Sequence, residues 1–195
     1  MTTYQPGSRA DLIFVLAGRE NRKVHGLRLY REGWAPRLLL SVGRFEIRRF
    51  ANQDLPQRVD LLKLAAPIDP PKRHFFVCIS EEGIAVERTP VGTWGTLSEI
   101  QALRRWLDRH ERIRRLIVIS SWYHLPRVKL CCRELLGLGL TCEFLSIPER
   151  NTDPAVDRGP VARRILTVLA EMVKIPVYYL IFLRRRVENL RQDGT

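Results

Sequence analysis

The chain has only four cysteines, Cys78, Cys131, Cys132 and Cys142, and no two of them form a CxxC pair with a second pair at zinc-ligand distance. Neighbours such as Cys131 and Cys132 on a helix point to different faces, so no metal site is expected. Each lies in apolar sequence and reads as a reduced core residue, which suits a reducing compartment. Neither a GxGxxG turn nor a Walker loop is present, so a dinucleotide or nucleoside triphosphate site has no motif support. A nucleophile elbow and a metal triad are also lacking, and no internal repeat or low-complexity tract interrupts the chain. The start, MTTYQPGSRADLIFVLAG, lacks a basic segment and a long enough apolar run for a signal peptide, so a cytoplasmic protein is expected. Near the other end, ILTVLAEMVKIPVYYLIFL reaches spanning length only by including Glu171, Lys174 and Pro176, where a spanning helix needs about 20 mostly apolar residues. A buried or interfacial helix fits better, one that packs on the protein body or touches a membrane peripherally.

What is present is a chain of 195 residues, 45% of them hydrophobic, enough for one full core. A single domain over 1–195 is expected. Lysine and arginine number 33 against 21 acidic residues, a net charge of +12, which favours anionic partners. The arginines are scattered and their aromatic neighbours follow no RNA-recognition pattern, so solvated helix faces explain most of them and no specific nucleic-acid motif is read.

Apolar runs of strand length recur at DLIFVLAG, RLLLSVG, HFFVCIS, RLIVISS and LTCEFLS. They lack polar alternation, as strands covered on both faces do. Helix-like segments separate them: HGLRLYREG, LSEIQALRRWLDRH from Leu97, and PRVKLCCRELLGLG from Pro126, with Gly33, Gly137 and Gly139 as stops. The alternation predicts an α/β fold, a three-layer α/β/α Rossmann-like sandwich with a mainly parallel sheet built on these five runs. Between Phe45 and Arg73 a helix over Gln57–Ala66 and a proline-rich turn are expected to flap over the sheet edge. Ser146–Pro160 reads as a loop into a C-terminal helical segment from about 158 to 192, which Pro176 should kink or break.

Groups just past the carboxyl ends of parallel strands converge on one crevice. The first strand exits into Gly18, and the second into Ser41, Gly43, Arg44 and Glu46; the strand-like IAVE ends at Glu87. Thr96 and Glu99 have the spacing of a capping box, which alone accounts for both, unless Glu87 and Glu99 face the crevice. The run SSWYHLPR follows the fourth apolar run. Ser120, Ser121, His124 and Arg127 there combine hydroxyls, a helix N-terminus and a guanidinium, all of which favour an anion, with Trp122 and Tyr123 as walls. The plainer alternative is that His124 caps the helix and Arg127 pairs with a surface carboxylate.

The stretches ADLIFVLAGRENRKVHGLRLYREGWAPRLLLSVG, GTLSEIQALRRWL, RLIVISSWYHLPRV and EMVKIPVYYL together resemble the ElyC/SanA/YdcF family, over about residues 10–180. The resemblance implies a Rossmann-like fold and a link to the bacterial cell envelope. It carries motif residues onto Gly18, Ser41, Gly43, Glu87, Thr96, Glu99, Ser120, His124 and Arg127. Arg19 and Arg44 enter turns that relatives keep small, and the N-terminal membrane helices that many relatives carry are not expected from this sequence. Three functions are then open. One is an enzyme on an envelope or peptidoglycan precursor, with His124 as acid or base, Glu87 or Glu99 as its partner and Arg127 on an anionic or nucleotide-like group. Another is a non-catalytic module for S-adenosylmethionine or a similar ligand. The third is a membrane-proximal interaction protein.

Overall fold

The computed structural model describes residues 10–51, 53–92, 95–110, 112–137, 139–147 and 173–184. Their elements run β1 (Leu12–Val15), α1 (Glu20–Arg31), β2 (Arg37–Gly43), α2 (Ile47–Phe50), α3 (Leu61–Ala65), a 3-10 turn (Pro70–Lys72), β3 (His74–Ser80), β4 (Gly83–Arg88), α4 (Thr96–Leu107), β5 (Arg115–Ser120), α5 (Leu125–Leu135) and β6 (Thr141–Ser146). A helical stretch over residues 173–184, called α6, follows.

The strands form one six-stranded sheet in the order β4-β3-β2-β1-β5-β6. β2, β1, β5 and β6 are mutually parallel, whereas β3 lies antiparallel to β2 and β4 antiparallel to β3. The third apolar run is therefore a strand, as expected, but not a parallel one. Connection length supplies the reason. α1 has 12 residues and climbs roughly 18 Å, enough to bring the chain back along the sheet to start a parallel strand. α2 and α3 have 4 and 5 residues and climb roughly 6–8 Å, far less than the roughly 23 Å length of a seven-residue strand. The chain stays at the end where β2 stopped and re-enters the sheet there, pairing His74 with Gly43. The helix expected from Gln57 starts only at Leu61, because the Asp60 carboxylate accepts the Lys63 amide at 3.0 Å and fixes the first turn.

Both faces of the sheet are covered, which makes three layers. Alternate residues of one strand enter different cores: Leu12 and Phe14 pack towards α4, α5 and α6, and Ile13 and Val15 towards α1, α2 and α3. Phe14 meets Phe76 edge to face with ring centroids 5.8 Å apart. Each such fully buried side chain contributes roughly 1.5–3 kcal/mol. At Gly26 a Cβ would lie 2.4 Å from Val15 Cγ2, so α1 sits closer to the sheet than any side chain at that position allows.

α6 continues through Pro176, so of the kink or break expected there the break does not occur. Tyr178 and Phe182 are buried in the α4–α5 core, while Val173, Val177, Tyr179, Leu180 and Leu183 are exposed. The packing on the body is thus seen for one face. Among the described residues no helix is long and apolar enough to cross a membrane. The expected loop over 148–160 and the parts of the expected C-terminal helix before 173 and after 184 lie outside the described residues.

Candidate functional site

In the parallel part of the sheet, β1 passes to β2 on one side, and the chain later returns to β5 on the other. The strand order reverses between β1 and β5, and ligand crevices of open α/β sheets form at that point. A cleft of about 540 Å³ lies there, and its lining includes Gly18, Gly43, Thr96, Glu99, Ser120, His124 and Arg127. The structure therefore brings these seven expected residues together.

Three expected residues are not on its wall. Glu87 sits on the edge strand β4, three strand spacings or roughly 14 Å from β1, and its carboxylate takes Arg109 at 2.7 and 3.0 Å instead. Ser41 is fully buried beneath the cleft and bonds His74 Nε2 through Oγ at 2.7 Å. Ser121 turns away and accepts Arg22 Nε at 3.2 Å and Nη2 at 3.0 Å. The capping box does not form either. The N-cap of α4 is Gly95, at φ 42°, and Thr96 is already the first helical residue, so its hydroxyl is one position too late to cap. Glu99 instead reaches across the cleft to accept the Ala17 amide at 2.7 Å.

The first strand-to-helix turn is consequently filled from within. Glu99 holds the Ala17 amide, and Glu46 holds the Gly18 amide through Oε1 while its Oε2 takes Lys23 Nζ at 2.5 Å and the Gly43 amide at 3.4 Å. Both carboxylates sit where a Rossmann turn would offer free amides and a helix dipole to a phosphate. Beneath them Arg22, only 4% exposed, donates to the Ala17 carbonyl at 2.5 Å and ties the turn to Ser121 at the exit of β5. Gly18, at φ 140°, is required because a Cβ there would lie 2.6 Å from Arg22 Nη1.

Burial pushes the Glu46 carboxyl up, against the pull of Lys23 beside it, and burial lowers the Arg22 guanidinium against the pull of Glu99, Tyr123 and Glu46. Glu46 was expected only as a group at the exit of the second strand, and Arg22 and Lys23 did not figure among the sequence candidates, although both share the inward stripe of α1 with Gly26 and Leu27 four residues on. Charges on an apolar stripe are the signal that marks them. His74 was missed for the topological reason given above: only an antiparallel β3 begins at this end of the sheet.

On the other wall, Ser120 Oγ is fully buried and makes no hydrogen bond among the described residues. Arg127, 8% exposed in the first turn of α5, donates to His124 Nδ1 at 3.1 Å and to the Tyr178 hydroxyl at 3.4 Å, its guanidinium 5.4 Å from the Tyr178 ring centre. An arginine only donates, so Nδ1 of His124 is the acceptor and the ring proton sits on Nε2. The rim carries Arg19, Arg49 and Phe45, the last 79% exposed with the Arg44 guanidinium 4.4 Å above its ring. Tyr123 lines the cleft, and Trp122 stands edge-on behind it at 5.6 Å without joining the wall.

No group of three or more metal-ligating side chains is present among the described residues. Cys131 and Cys132 are buried; burial pushes Cys131 up to about 12, and the contact with Cys142 followed by burial raises Cys132.

His74 gives a pH test of this packing. Burial lowers its affinity for a proton below the ordinary value of 6.5, with Lys23 acting the same way and Glu99 opposing. The unfolded chain therefore takes up the proton first, so the stability tied to a neutral His74 is complete above 6.5 and is lost as the pH falls below it. Thermal melting followed by circular dichroism from about pH 7.5 to about pH 5.5 should show a falling midpoint. His74→Gln should flatten that fall, leaving the contribution of His25, whose affinity burial and Arg28 lower too. Equal slopes for parent and variant would remove His74 from this account.

Comparison with family models, with curated proteins and with solved structures finds no match for this chain.

Proposed function

We propose that the protein binds a small anionic ligand in the cleft between the exits of β1 and β5, with Arg127 and Ser120 holding the anion. His124 is the group positioned to exchange a proton with it. The observation that carries the reading is Ser120 Oγ, a fully buried hydroxyl with no hydrogen bond among the described residues, on the wall of a cleft that Arg127 also lines. A buried polar group left unsatisfied costs about 1–3 kcal/mol, and a bound oxyanion accepting from it removes that cost. The N-terminal end of α5 and the guanidinium add positive potential at the same point. The resemblance to the ElyC/SanA/YdcF family lends the reading a setting, the metabolism of envelope or peptidoglycan precursors.

The test is identification by mass spectrometry of small molecules carried through purification of the full chain, followed by titration of the recovered anion into parent and Arg127→Ala. Loss of one charge-assisted contact corresponds to roughly 10- to 100-fold weaker binding, with circular dichroism unchanged. Undiminished affinity in the variant would move the anion away from α5 and defeat the proposal.

A further inference from the structure

The two walls of the cleft differ chemically, and the difference restricts what fits. On the β1 side the amides of Ala17 and Gly18 are already held by Glu99 and Glu46. A pyrophosphate cannot take those amides without displacing two carboxylates, and its own charge would be repelled by them. Glu99 nevertheless uses only Oε1 on Ala17; no hydrogen bond among the described residues engages its Oε2, and the residue is 6% exposed with the cleft as its outlet. A carboxylate oxygen only accepts, so the ligand atom that meets it must donate. On the β5 side the buried Ser120 hydroxyl, without a hydrogen bond among the described residues, calls for the opposite, an atom that accepts, and the Arg127 guanidinium on the same wall adds positive charge there.

Resting on the anion site proposed above, we infer that the ligand is a hydroxyl-bearing phosphate of sugar or polyol type. Its phosphate lies against Ser120 and Arg127, and one of its hydroxyls donates to Glu99 Oε2. Arg22, buried beneath the turn, lies within electrostatic reach of Glu99 and adds a positive charge to that side of the cleft. The volume of about 540 Å³ admits a single sugar phosphate with its water, in the range of ordinary small-molecule sites. Neither a bare phosphate nor a neutral sugar satisfies both walls, so the site selects for molecules that carry the two functions together.

Titration calorimetry on the full chain with inorganic phosphate, ribose, ribose 5-phosphate and an oxidised nicotinamide dinucleotide separates the alternatives. Ribose 5-phosphate should bind at least about tenfold more tightly than either fragment, as expected for two sites bridged by one ligand. Glu99→Gln, which keeps an oxygen for Ala17 and relieves the repulsion of both phosphates alike, should lower the ratio of ribose 5-phosphate to inorganic phosphate affinity by about tenfold through loss of a charge-assisted bond to the hydroxyl. Ser120→Ala, a smaller change at a distance from the Glu99 wall, should weaken both phosphates alike and serves should the Glu99 variant fail to fold. Equal affinity for phosphate and ribose 5-phosphate overturns the inference while leaving the anion site intact. Tightest binding of the dinucleotide overturns it as well, and an absence of binding by any anion defeats both this inference and the anion site on which it rests.

Discussion

Replacing Glu46 with alanine is expected to lower folding stability by about 3–5 kcal/mol, the largest single effect in the cleft. The carboxylate balances the Lys23 ammonium at 2.5 Å, and the lysine side chain is only 3% exposed. Removing the carboxylate leaves a buried cation with nothing to offset its lost hydration. It also frees the Gly18 amide and the longer contact to Gly43. Removing both charges should hurt less. With Lys23→Met and Glu46→Leu together, the isolated charge is gone and the remaining loss, about 1–3 kcal/mol, belongs to the Gly18 amide. Urea unfolding of the parent, Lys23→Met, Glu46→Leu and the double variant measures the coupling directly. Additive losses would mean that the pair is solvated well enough to act as two independent surface charges.

Substituting Gly18 by alanine is expected to cost about 2–4 kcal/mol, from two sources. The backbone there lies at φ 140°, a conformation that an L side chain rarely adopts, and the added methyl would sit 2.6 Å from Arg22 Nη1 and 2.9 Å from its Cζ. The guanidinium has little room to retreat, since it is fastened to the Ala17 carbonyl on one side and to Ser121 on the other. Pushing it aside breaks the tie between the exits of β1 and β5 and opens the floor of the cleft, so ligand affinity should fall together with the melting temperature. An alanine variant within about 0.5 kcal/mol of the parent would show that Arg22 is held more loosely than these contacts imply.

The strands were legible in the sequence because apolar runs between helical spacers leave little else for a buried segment to be. The direction of β3 was not, since it depends on how far α2 and α3 travel, and IRRF and LLKLA carry no conspicuous sign of their brevity. That one geometric fact hid His74. On the β5 side, Ser120, His124 and Arg127 could be read from the abrupt change of chemistry at a strand exit. On the β1 side the signals misled. Glu99 lies three residues after a threonine, and spacing alone cannot distinguish a carboxylate that caps its own helix from one that crosses to another strand. Glu46 could be placed at a strand exit, and Arg22 and Lys23 on the apolar stripe of α1, but a buried ion pair is a property of two distant segments and neither segment shows the pairing. Glu87 was placed at the right height, opposite Phe76 in the register, but strand order puts it at the sheet's edge.

The internal filling of the β1–α1 turn also bears on how the protein moves. A strand-to-helix turn at a cleft is commonly among the first parts of a fold to open, because few contacts reach it from elsewhere. Here its two amides are held by carboxylates from the β2–α2 loop and from α4, and Arg22 fastens it to a serine 99 residues away in sequence. The turn cannot lift alone: any excursion has to carry those neighbours with it or break contacts in two separate segments at once. Breathing at this end of the sheet is therefore a concerted motion of turn, loop and helix, and the cleft changes shape as one body.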